Sequence, residues 1–215
     1  MVRRSLVLVL ILIVMLLFGV SLSAQEYWAY GEFNQQYERF KYEITSYSYK
    51  WDYDLGEEVR EETKQIQTLE LNKIDDDTTK LTIAYTYDVP SKDLYDQFTF
   101  MGLSGLSSFM MSGGDWIGEI VMLNFYAEDM ELEVGSIIQL YDGSRIRITE
   151  KQTVAGVEGY FFTRSERHQD DDGNRIDVKI SEFVVAPDIG MPLLVRIYSG
   201  GEVSFIMELV EYSRQ

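Results

Sequence analysis

Alternation of apolar and polar residues with a period of two runs through most of this chain, and it commits the backbone to extended strands. The clearest stretch is Leu81 to Val89, where Leu81, Ile83, Tyr85, Tyr87 and Val89 share one side and Lys80, Thr82, Ala84, Thr86 and Asp88 the other. Successive strand residues point to opposite faces, so the pattern predicts a strand of an antiparallel sheet with one buried face. Tyr37 to Trp51 and Glu57 to Ile74 precede it, the second a long polar strand closed by the turn Asp75-Asp76-Asp77. Downstream, Ile137 to Leu140 and Arg145 to Thr149 flank Asp142-Gly143 as a short hairpin. Tyr160 to Arg167 and Arg175 to Val185 flank a turn at Asp170 to Asn174, and Leu193 to Ser199 and Glu202 to Tyr212 flank Gly200-Gly201. About nine strands spaced by turn residues predict a sandwich or barrel rather than parallel βαβ units.

One segment departs from this pattern. From Ser91 to Met111, the residues Leu94, Phe98, Met101, Leu106, Phe109 and Met110 recur at steps of three and four after Pro90-Ser91, which suits a helix entrance. Gly102 and Gly105 soften that helix, and Ser112-Gly113-Gly114 interrupts it. Trp116 to Tyr126 is apolar enough for a second helix or a buried strand. Met101, Met110, Met111 and Met122 are flexible fillers. They suit either ordinary core or a movable cover over a hydrophobic groove.

The first 24 residues read as a secretory signal. Arg3 and Arg4 form a basic start, Leu6 to Val20 is unbroken apolar sequence, and Ser21-Leu22-Ser23-Ala24 offers small residues for cleavage. That run falls short of the roughly 18 to 20 residues needed to cross a bilayer core. The expected product starts at Ala24 or Gln25, is not an integral membrane protein, and lies in the periplasm or outside the cell. Residues 25–215 are then read as a single domain with a helical insert at about 91–126. The chain contains no cysteine, which excludes disulfides, thiolate metal sites, cysteine nucleophiles and a lipidated cysteine. Its formal charge of -17 repels nucleic acid and anionic headgroups and favours solubility.

Residues suited to catalysis are few. His168 is the single histidine and sits beside Gln169 and Asp170-Asp171-Asp172 in what reads as an exposed hairpin tip. Gly102-Leu103-Ser104-Gly105-Leu106 lacks the last glycine of a nucleophile elbow and has no strand before it. His168 to Gly173 matches part of a calcium loop, but His168 stands at its first position and Lys179 where the bidentate glutamate belongs. No catalytic residue, metal or cofactor is implied, and the chain reads as a non-enzyme. Eleven aromatic residues between Tyr27 and Tyr53 pack across strands or, on an exposed face, grip sugar or lipid.

In the C-terminal part, Leu132-Glu133-Val134-Gly135, Asp142-Gly143-Ser144, Thr153-Val154-Ala155-Gly156, Ala186-Pro187-Asp188-Ile189-Gly190-Met191-Pro192-Leu193, Val203 and Leu209-Val210-Glu211-Tyr212 follow in an order that resembles exported domains related to the LolA/LolB lipoprotein carriers. The resemblance covers residues 130–212 best. It implies a mainly β fold, a strongly curved antiparallel sheet forming an incomplete barrel, with one or two helices covering its concave face and an apolar cavity for acyl chains. It brings no catalytic residues. The carriers' lid arginine has no counterpart in Ser91 to Met111, which holds Lys92 but no arginine. The expected function is an exported non-enzymatic protein that holds a lipid or other apolar ligand. Phe98, Met101, Leu106, Phe109 and Met110 would form the cover, and Tyr85, Tyr87 and Phe162 the sheet side of the site. The alternatives are a carbohydrate- or envelope-polymer-binding module using the N-terminal aromatics, and a structural envelope component.

Overall fold

The computed structural model describes residues 26–88, 91, 119, 131–169 and 173–215. Nine strands are described: β1 (Tyr37–Asp52), β2 (Glu57–Lys73), β3 (Thr79–Tyr87), β4 (Ile137–Gln139), β5 (Arg145–Val154), β6 (Val157–Gln169), β7 (Arg175–Val185), β8 (Leu194–Ser199) and β9 (Glu202–Arg214). All belong to one antiparallel sheet of order β3-β2-β1-β9-β8-β7-β6-β5-β4. The sheet is open, with β3 and β4 as its edges. This agrees with the mainly β, unclosed antiparallel sheet expected above; strand spacing alone left sandwich and barrel open, because it carries no information on how the end strands pair.

Two meanders build the sheet. Strands β1 to β3 pair in sequence, as do β4 to β9, and the two halves join where β1 lies against β9. The start of β1 and the residue after β9 therefore meet mid-sheet, where the Tyr37 amide donates to the Gln215 carbonyl at 3.2 Å and the Gln215 amide to the Tyr37 carbonyl at 3.0 Å. Strands β3 and β4 follow each other in the chain yet lie at opposite ends of the strand order, so the connection between Tyr87 and Ile137 links the two edges.

Register places the apolar positions of successive strands in rows across one face. Ile148, Phe162, Phe183, Val195, Met207 and Ile44 form such a row, and all six are buried. This is the core face. In β1 the alternation is direct, with Phe40, Tyr42 and Ile44 buried between the more exposed Lys41 and Glu43. Register shifts at Lys41/Tyr42, Ile148/Glu150, Arg164/Ser165 and Ile197/Tyr198 mark bulges, each of which bends its strand and adds twist.

The segment before β1 straps one end of the sheet. Trp28 is buried and donates its indole N–H to the Ile189 carbonyl at 2.8 Å. The Gly31 amide donates to the Gly190 carbonyl at 2.8 Å. The Tyr42 hydroxyl reaches the Pro192 carbonyl at 3.0 Å. The corner Pro187 to Pro192 thus has its carbonyls satisfied from two sides, as buried backbone requires.

Candidate functional site

The core face divides into a packed part and an open part. In the packed part, Phe162 is fully buried and stacks on Phe183 with ring centroids 5.3 Å apart. A ligand reaching the Phe162 ring would have to displace this packing, and the residue stands within the core cluster. The open part lies at the other end of the sheet order, on β2 and β3. There Leu71 faces Leu81 and Leu69 faces Ile83. Leu81 and Ile83 keep 55% and 47% of their surface exposed, although period two assigned them to a buried face. Their strand is the sheet edge, with a neighbour on one side only. The next residue of this face, Tyr85, is half-buried opposite Gln67, whose side-chain amide donates to the Tyr85 hydroxyl at 3.2 Å. Tyr87 pairs with Gln65 through its backbone. Phe98, Met101, Leu106, Phe109 and Met110 lie outside the described residues. Of the expected site, Tyr85 and Phe162 share a face but are not neighbours.

A polar cluster interrupts the packed part. On β6, Arg164 follows Tyr160 and Phe162 at two-residue steps and therefore points to the core face, where its side chain is 8% exposed. Its Nη1 donates to both Glu119 carboxylate oxygens at 2.6 Å, its Nη2 to Asp142 Oδ2 at 2.6 Å, and its Nε to Ser144 Oγ at 3.0 Å. Ser181 Oγ donates to Glu119 Oε2 at 3.0 Å. Local geometry holds the partners: Asp142 Oδ1 accepts from the Ser144 amide at 2.8 Å and the Ser144 hydroxyl at 2.6 Å, and Gly143 turns the chain with a φ of 89°. Burial works against both charges, yet the Ser144 and Arg164 hydrogen bonds outweigh it and lower the Asp142 pKa. Likewise Glu119 and Asp142 outweigh desolvation and keep Arg164 charged.

The geometry of this cluster is that of a clamp. Each Ser hydroxyl donates to a carboxylate already held by Arg164, so neither is poised as a nucleophile next to a free base. His168 is exposed on the far end of β6, its ring 3.2 Å from Glu166. Sequence reading passed over Arg164, Ser181 and Glu119. A charged residue at an inward position of a strand was the available signal for Arg164.

The N-terminal aromatics divide as well. Trp28 is core, edge-on to Tyr30 with centroids 5.0 Å apart, whereas Tyr49 and Trp51 are exposed at 59% and 50%. At the opposite rim two depressions of about 350 and 340 Å³ share Asp188. Within them Arg214 pairs with Asp188 at 2.6 Å and Lys151 with Glu158 at 3.1 Å, and Glu26 accepts from the Tyr160 hydroxyl at 2.6 Å. Among the described residues no helix is long and apolar enough to cross a membrane. No family model, curated protein or solved structure matches the chain significantly.

Proposed function

We propose that the protein is an exported, non-enzymatic carrier that holds an apolar, lipid-like ligand against the open part of its core face, on Leu69, Leu71, Leu81, Ile83 and Tyr85. The observation that carries this reading is the half exposure of Leu81 and Ile83 on the same face as the sheet's core. Apolar surface left in water costs about 25 cal/mol per Å², and a ligand that buries it recovers that free energy. Two further features support a cover over this face. Residues 89–130 must pass from one sheet edge to the other, and Glu119 within them sits on the core face, clamped by Arg164 and Ser181. A bent sheet with residues 91–126 across its hollow would form a half-barrel cavity, with Arg164 and Glu119 as the latch.

Uptake of a fluorescent fatty acid tests this. In Leu81→Asp with Ile83→Asp, affinity falls more than about tenfold, because a charge buried beside an acyl chain is strongly disfavoured. The thermal midpoint stays near wild type, since both sites are exposed. Equal uptake by wild type and variant, or no uptake by either, contradicts the proposal.

A further inference from the structure

Among the described residues, the strands β1 and β2 pair only with each other beyond Ser46 and Gln65, because β9 ends its pairing at Ser46 and β3 at Gln65. Residues 47–64 are thus a two-stranded ribbon extending past the sheet. Alternation puts Tyr47, Tyr49 and Trp51 on one face of it, about 6.8 Å apart along the strand. Their cross-strand partners are Glu62, Arg60 and Glu58. Between Tyr47 and Glu62 the ribbon carries six carboxylates against Lys50 and Arg60.

One position on this face already shows what it accepts. The Arg60 guanidinium lies over the Tyr47 ring, 4.0 Å from its centroid, while Arg60 Nη1 is 3.8 Å from a Glu202 carboxylate oxygen. A planar cation stacked on a ring with a carboxylate at its rim suits arginine better than lysine, whose ammonium is a strongly hydrated point charge. Trp51, half exposed and opposite Glu58, repeats the ring-and-carboxylate pair, and among the described residues no cation lies over its ring. Tyr49 extends the row, its hydroxyl donating to Glu202 at 2.7 Å.

We propose that this ribbon face, centred on Trp51 and Glu58, is a docking surface for an arginine-bearing basic segment of a partner protein. The excess of carboxylates draws the segment in and the rings select arginine from it.

Binding of a fluorescein-labelled arginine-rich decapeptide, followed by anisotropy, provides the test. Wild type binds it with an affinity that weakens as salt rises, and binds the lysine counterpart less tightly. Trp51→Ala, which leaves the charge unchanged, weakens arginine-peptide binding about fivefold, and Trp51→Tyr restores most of the loss. Replacing Asp75, Asp76 and Asp77 by Asn, away from the ribbon, has less effect than Trp51→Ala. The proposal is overturned if Trp51→Ala binds like wild type, if the triple Asn variant loses more, if no peptide binds, or if a neutral oligosaccharide binds with the same dependence on Trp51 and no dependence on salt.

Discussion

Glu38 and Glu182 are both buried carboxylates, on opposite faces of the sheet, and their surroundings push their titrations in opposite directions. Glu182 is 5% exposed and takes hydrogen bonds from Lys179, from Arg196 at 2.6 Å and from the Tyr198 hydroxyl at 2.9 Å. Burial raises its pKa, but these donors outweigh it and the net shift is downward. Glu38 is 2% exposed, takes one bond from the Tyr212 hydroxyl at 2.8 Å, and leaves Oε2 without a partner. There burial prevails over Tyr212 and Arg214, and the pKa is raised. A carboxylate with a depressed folded pKa stabilises the fold above its unfolded value of about 4.3 and loses that contribution as acid protonates it, whereas a raised one costs stability once pH climbs through its folded pKa. Glu38→Gln keeps an acceptor for Tyr212 and removes the charge. It therefore raises the midpoint at pH 7, by about 2 to 4 °C if the gain is about 1 kcal/mol, and the gain disappears below about pH 4. Thermal melts of wild type and variant at both pH values check this; a loss of stability at pH 7 would show that the ionised form is the one the site favours.

At the scale of elements, the strap before β1 and the corner after β7 fit with almost no clearance. A Cβ at Gly190 would stand 2.4 Å from the Glu32 carbonyl oxygen and 2.9 Å from its amide nitrogen, both rigid backbone. Gly190→Ala should cost about 2 kcal/mol, as overpacking does. Gly156→Ala meets nothing within 4 Å and suffers only from its φ of 81°, at about 1 to 2 kcal/mol. Urea unfolding of the two variants compares them; a harmless Gly190→Ala would mean that the strap is not seated against the corner. The strands themselves were legible in the sequence, because apolar residues at every second position and turns such as Asp142-Gly143 and Gly200-Gly201 encode them locally. The tight approach at Gly190 was not, since a partner more than 150 residues away leaves no local trace. The same limit applies to the site. Period two gave Leu81, Ile83 and Phe162 the same inward orientation, but only strand order decides that Phe162 lies among packed rings and the other two at an edge.

For the whole molecule, the first and last described strands meet at the centre of an open sheet, and the stretch between β3 and β4 joins its outer edges. The polar cluster on Arg164 holds Glu119 of that stretch on the packed half, while the β2–β3 half keeps apolar side chains exposed. An arrangement of this kind makes sense for a protein that carries something apolar between the sheet and its crossing segment. Export, a bent half-barrel and a lipid-like cargo belong together in the proposed reading, in which a strongly acidic chain with a formal charge of -17 would escort an acyl chain through water without binding anionic membranes. Native mass spectrometry of the protein purified from its own host tests it most directly. The expected spectrum shows a species heavier than the chain, whose excess mass is removed by organic extraction and recovered as lipid. A spectrum of the bare chain alone, with no lipid in the extract, would contradict the claim that the open core face is a binding site.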